Sequence, residues 1–137
     1  MMNLICYIAT ALVFLGLDVL WLTRISPAFY RSRIGELLLA QPNFAAAAAF
    51  YLIYVAGIVY FAVVPALNAE SWSTALVSGA ILGLVAFGTY DMTNLATLKG
   101  WSLGVSLVDM SWGMVITASS ATAGYLVTMH GFLPWRP

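Results

Sequence analysis

Residues 72–129 read WSTALVSGAILGLVAFGTYDMTNLATLKGWSLGVSLVDMSWGMVITASSATAGYLVTM. Two long apolar runs, Trp72 to Leu98 and Trp101 to Met129, meet at Lys99-Gly100, and each holds one acid, Asp91 or Asp109. Spanning a bilayer's hydrocarbon takes about 20 apolar residues as a helix, so each run is long enough. The Lys-Gly pair leaves no room for a connecting domain. The segment therefore predicts an antiparallel pair of transmembrane helices closed by a tight turn.

Working outward, two more runs qualify. Met2 to Leu22 is interrupted only by Asp18, and Asn43 to Val64 is uncharged and opened by Pro42. Residues 23–42 form a connecting loop, in which Ile34 to Ala40 reads as a short interfacial helix or an extension of the second span. Pro65 and the polar run Asn68–Ser73 separate the second span from the third. The predicted fold is an all-α membrane protein: a four-transmembrane-helix bundle forming one integral membrane domain over residues 1–137. Composition agrees. Only 7% of residues are charged and 63% are apolar, with a mean hydropathy of +0.96, against roughly 25% charged in soluble domains. A bilayer accepts such a surface; water does not. The net charge of zero offers no electrostatic footprint for a nucleic acid. The single Cys6 has no disulfide partner within the chain and reads as a small apolar residue. The first run lacks a basic start, is too long for a signal peptide and carries Asp18, so it is read as a retained span.

Basic residues near helix ends set orientation. The first loop holds Arg24, Arg31 and Arg33, and the hairpin turn holds Lys99. On the other side only Arg136 is basic. Both of those connections are therefore placed in the cytoplasm and both termini on the non-cytoplasmic side. Trp72, Trp101 and Trp135 stand near span ends, where indoles favour the interface. Tyr30, Arg31 and Arg33 are placed to meet lipid phosphates.

Ionisable residues inside a membrane are rare and usually face the bundle interior. Three are predicted here. Asp18 lies four residues before the end of the first span, and Asp91 and Asp109 lie nine residues either side of Gly100. In the antiparallel pair the last two share one depth, and the orientation puts all three in the cytoplasmic half. Acids in one layer cannot all ionise, so at least one is expected to carry its proton. The candidate ligand- or proton-binding set is Asp18, Asp91, Asn94, Asp109, Trp21, Trp112 and Tyr90. Asn94 is one turn beyond Asp91. Asp18-x-x-Trp21 and Asp109-x-x-Trp112 each place an indole donor one turn past an acid. Two further stripes suggest tight packing in lipid. Ser106, Asp109, Gly113, Thr117, Ser120 and Gly124 recur at spacings of three and four, and Gly79, Gly83, Phe87 and Asp91 at four. A 73-residue shift aligns Phe14 with Phe87, Asp18 with Asp91 and Glu36 with Asp109. An internal duplication would bring Glu36 into the acidic site.

The string Tyr90-Asp91-Met92-Thr93-Asn94-Leu95-Ala96-Thr97-Leu98-Lys99-Gly100-Trp101 carries a resemblance. With Val108-Asp109-Met110-Ser111-Trp112-Gly113, Phe50-Tyr51-Leu52-Ile53-Tyr54 and Pro65-Ala66-Leu67, it resembles the family catalogued as domain of unknown function 2177, along nearly the whole chain. The resemblance implies a multi-pass protein of the bacterial inner membrane with four helices. It implies no activity, and no catalytic residue is carried over.

The leading functional reading is a proton-linked transporter or binder of an amphiphilic or cationic small molecule, using the buried acids. Four helices enclose little volume, so a homodimer or another membrane partner is expected besides the lipid bilayer. One alternative is a structural or accessory subunit whose polar layer specifies packing. The other is a lipid-active enzyme. No cofactor or metal is predicted; were a divalent cation held, Asp18, Asp91 and Asp109 would be its oxygen ligands. No phosphatidyl-transfer motif is present, serine nucleophiles lack a base in reach, and His130 is placed at the opposite membrane face. Enzyme function therefore ranks last.

Overall fold

The computed structural model describes residues 1–131; Trp135 and Arg136 lie outside the described residues. Among those described, every regular element is helical. The first helical run comprises α1 (Met2–Leu20), a π turn (Trp21–Ile25), α2 (Ser26–Ile34) and a 3-10 turn (Gly35–Leu37). The second comprises α3 (Phe44–Ile58), a π turn (Val59–Val63) and α4 (Val64–Ala69). Then come α5 (Trp72–Thr97) and α6 (Leu103–Gly131). Three runs are long and apolar enough to cross a membrane: Met2–Leu37, Phe44–Ala69 and Trp72–Thr97. The further helix is α6, of 29 residues.

Two expected breaks are absent. The loop placed at 23–42 is helical as far as Leu37, and only its last stretch, beginning with the extended Leu38, leaves the helix. The short helix expected over Ile34 to Ala40 is reduced to the Gly35–Leu37 turn. Pro65, expected to separate two spans, lies inside the second run, which ends only at Ala69. The reason is local. Proline has no N–H to donate, and its ring presses on the carbonyl four residues back. For Pro27 that carbonyl belongs to Thr23, and for Pro65 to Phe61. Each is the central residue of a π turn. The wider ring makes room where an α-helix would clash.

The ends of the later helices follow ordinary capping chemistry. Glu70 takes the left-handed conformation (φ 51°) that closes α4. The Ser71 hydroxyl then accepts from the Thr74 N–H at 3.4 Å and opens α5. Gly100 supplies the positive φ of 76° in the turn to α6.

The core is organised around α6, which pairs most extensively with α5 and next with α1. Its buried side includes Ser106, Gly113, Thr117, Ser120 and Gly124, the small, polar stripe read from the sequence. A Cβ on Gly79 would sit 2.9 Å from the Ala118 Cα, and one on Gly83 would overlap the Gly113 carbonyl. Likewise a Cβ on Gly124 would meet the Thr10 hydroxyl of α1. These helices touch backbone to backbone. The apolar core proper gathers Cys6, Phe14, Tyr54, Ile58, Ala62 and Ile116. Phe14 meets Tyr54 edge-on at 5.4 Å, with Phe87 at 6.2 Å from the same ring. Cys6 is packed there as expected, its thiol 3.2 Å from the Thr128 hydroxyl.

Gly83→Ala is therefore expected to destabilise the protein by about 1–3 kcal/mol, the usual cost of overpacking. Gly57→Ala, where nothing stands within 4 Å of the added methyl, is expected to be neutral. Reversible unfolding of both variants in mixed micelles checks the difference.

Candidate functional site

Asp18 sits in the last turn of α1, on the buried row that also holds Cys6, Thr10 and Phe14. Tyr51 of α3 donates its hydroxyl hydrogen to an Asp18 carboxyl oxygen. Asp109 on α6 accepts from the Tyr30 hydroxyl of α2 at 2.9 Å. Along an unbroken α-helix Tyr30 would lie about 18 Å beyond Asp18 at 1.5 Å per residue. Yet Asp109 both bonds Tyr30 and lies within electrostatic range of Asp18. The π turn and Pro27 between them are where such a helix bends, and α2 leans over the layer.

Asp91 on α5 is different. It is 0% exposed, among the described residues no hydroxyl or N–H donates to either of its oxygens, and the acid beside it is Asp109. Its backbone is held firmly. The Ser106 hydroxyl donates to the Asp91 carbonyl at 2.9 Å, and the Trp101 indole N–H donates to the Ser106 oxygen at 2.9 Å. A buried polar atom without a partner costs free energy in any medium that cannot hydrogen-bond it.

The other candidate residues divide. Trp21 and Trp112 come together, but on each other, stacked in parallel at 4.5 Å and 6°. Among the described residues the Trp112 N–H meets no acceptor at hydrogen-bond geometry, and it lies toward the Asp18 carboxyl of α1. Tyr90 is 57% exposed and edge-on to Trp101 at 5.6 Å, within electrostatic range of Asp91 and Asp109. Asn94 is half-buried one turn beyond Asp91, on the Tyr90 side. Glu36 is exposed in the 3-10 turn and does not occupy the place the duplication would give it. That place, beside Asp109, belongs to Tyr30. His130 is exposed near the far end of α6. Among the described residues no three acid, His or Cys side chains are gathered closely enough to hold a metal ion.

Two partners were not singled out in the sequence for this layer, Tyr30 and Tyr51. Each is an aromatic residue in an amphipathic or apolar stretch, indistinguishable by composition from a lipid-facing one. Tyr30 has a second role. Its ring lines a cavity of about 730 Å³ between α2 and the segment after it, shared with Ser26, Arg31 and Leu37–Leu39.

Long apolar helices locked backbone to backbone around an interior patch of acids and tyrosines define a polytopic α-helical membrane protein. The chain belongs to the DUF2177 family of predicted membrane proteins, whose model matches residues 3–126, the acids and both tyrosines included. No curated protein and no solved structure matches it.

Hydrogen bonds between helices in a membrane contribute about 0.6 kcal/mol on average and up to about 1.7. Tyr51→Phe is expected to lower stability by an amount in that range. Asp91→Asn is expected to cost less, since the isosteric amide keeps a donor beside Asp109. Unfolding in mixed micelles orders the two, and the reverse order would contradict the assignment of partners.

Proposed function

We propose that this is a four-span protein of the bacterial inner membrane that binds a lipophilic or amphiphilic cation at Asp91 and exchanges it for a proton. The observation that carries the reading is the fully buried Asp91 carboxyl beside Asp109, to which no hydroxyl or N–H donates among the described residues. Two acids side by side bind one positive charge well, whether it arrives as a proton or as a cation. Tyr30, on Asp109 and also on the cavity wall, provides the contact between this pair and the outside of the bundle. A second copy or another membrane partner would enlarge the enclosed space.

The fourth span in this reading is α6. Its lower hydropathy follows from its position. Its Ser106, Gly113, Thr117, Ser120, Gly124 and Thr128 are buried against other helices, so it needs less apolar surface than a helix on the outside. The cytoplasmic side carries Arg24, Arg31, Arg33 and Lys99, and both termini lie across the membrane from them. A cysteine introduced at Glu36 is then expected to be protected from an impermeant thiol reagent in intact cells, and one at Glu70 to be labelled. The opposite pattern would invert the orientation.

Tetraphenylphosphonium is a suitable probe of the cation site. Binding to the purified protein is expected to tighten as pH rises, because the proton leaves as the cation enters, and to release protons into weakly buffered solution. Asp91→Asn is expected to abolish it. A flat pH profile, or unchanged affinity in that variant, contradicts the proposal.

A second reading, an accessory subunit, draws on the pairs Asp18–Tyr51 and Asp109–Tyr30, each joining two helical segments. It differs in its outcome: Asp91→Asn would then leave no binding to lose.

A further inference from the structure

We propose that the cavity between α2 and residues 35–42 is a binding site for one anionic membrane phospholipid, with its phosphate on Arg31 and an acyl chain along Leu37–Leu39. The site shares Tyr30 with the acidic layer but does not depend on the cation-exchange reading.

At about 730 Å³ the cavity falls within the roughly 300–1,000 Å³ usual for small-molecule sites. Its lining is two-sided in chemistry. Leu22, Leu37, Leu38 and Leu39 offer apolar surface, while Ser26, Tyr30 and Arg31 offer polar groups. Ser26 is only 3% exposed and stands in the cavity lining. The nearby arginines divide their roles. Arg33 lies over the Phe29 ring at 4.0 Å. Among the described residues Arg31 has no acidic partner, and it stands in the cavity lining. A guanidinium with free N–H groups matches phosphate oxygens in pairs.

The choice of a lipid over a soluble phosphate rests on the leucines. Leu37, Leu38 and Leu39 are all exposed, in a segment that leaves the helix after Leu37, and they make an apolar track continuous with the polar corner. An ionic head with an apolar tail fits both halves; a free phosphate uses only one. The Arg31 charge selects a head that is negative overall.

The test is retention of lipid by the full chain in detergent, read by native mass spectrometry after addition of dioleoyl phosphatidylglycerol or dioleoyl phosphatidylcholine. One phosphatidylglycerol is expected to stay bound in preference to phosphatidylcholine. Arg31→Gln is expected to weaken retention about fivefold, the worth of one basic side chain near an anionic head. Leu38→Trp, which fills the cavity from an exposed position, is expected to abolish it. Arg24→Gln, outside the cavity, and Asp91→Asn are expected to leave it unchanged, so failure of the cation site would not be mistaken for failure of this one. Equal retention of the two lipids, an equal loss in Arg24→Gln, or displacement of the lipid by inorganic phosphate would overturn the proposal.

Discussion

The whole arrangement depends on how closely α6 approaches its two neighbours. In lipid there is no hydrophobic force to press helices together, so association relies on van der Waals contact and hydrogen bonds at short range. Gly83 against Gly113 and Gly79 against Ala118 provide that range backbone to backbone, and Gly124 admits the Thr10 hydroxyl of α1. Once α6 is wrapped in this way it can carry hydroxyls that an outer helix could not. The Thr117 hydroxyl lies 2.7 Å from that of Tyr54, and the Ser120 hydroxyl returns to the Ile116 carbonyl at 2.7 Å. The helix with the most polar interior is thus the one with the most protein around it.

The acidic layer is a second product of the same packing. Asp91 and Asp109 face each other because α5 and α6 form one close pair, and Asp18 joins them because α1 lies on the other side of α6. The tyrosines come from elsewhere. Tyr51 arrives on α3, and Tyr30 arrives on α2 only because the chain turns there. Two of the acids are therefore bound into the architecture, while Asp91 is held by its backbone alone. Division of labour among chemically identical side chains is what a site needs if some of them must hold shape while another changes its charge.

Much of this was legible in the sequence. Counting nine residues either way from Gly100 places Asp91 and Asp109 level with each other, since an antiparallel pair keeps depth by symmetry. The stripe of Ser, Thr and Gly on α6 announces its buried side through simple periodicity. Pro65 misled, because an ordinary reading ends the helix there, whereas a π turn four residues upstream carries it through. No residue type signals such a turn. The partners of the acids were also hidden. Tyr30 and Asp109 are 79 positions apart, and nothing local to either names the other. The stacking of Trp21 on Trp112 was hidden too, because it is set between helices and not by the spacing of either indole from an acid.

The π turn at Val59–Val63 has a further effect on the second helical run. Its buried positions Tyr54, Ile58, Ala62 and Ala66 are spaced by four. On a helix of about 3.6 residues per turn each such step overshoots a full rotation by about 40°, so three steps would swing the row about 120° away from its origin. The wide turn absorbs roughly one extra residue and returns about 100° of that angle. The widened turn therefore acts as a phase corrector: it keeps one meridian of the rod aimed inward from Tyr54 to Ala66. Neither the length of the segment nor its greasiness records that phase, yet it decides which half of the side chains the surrounding acyl chains touch.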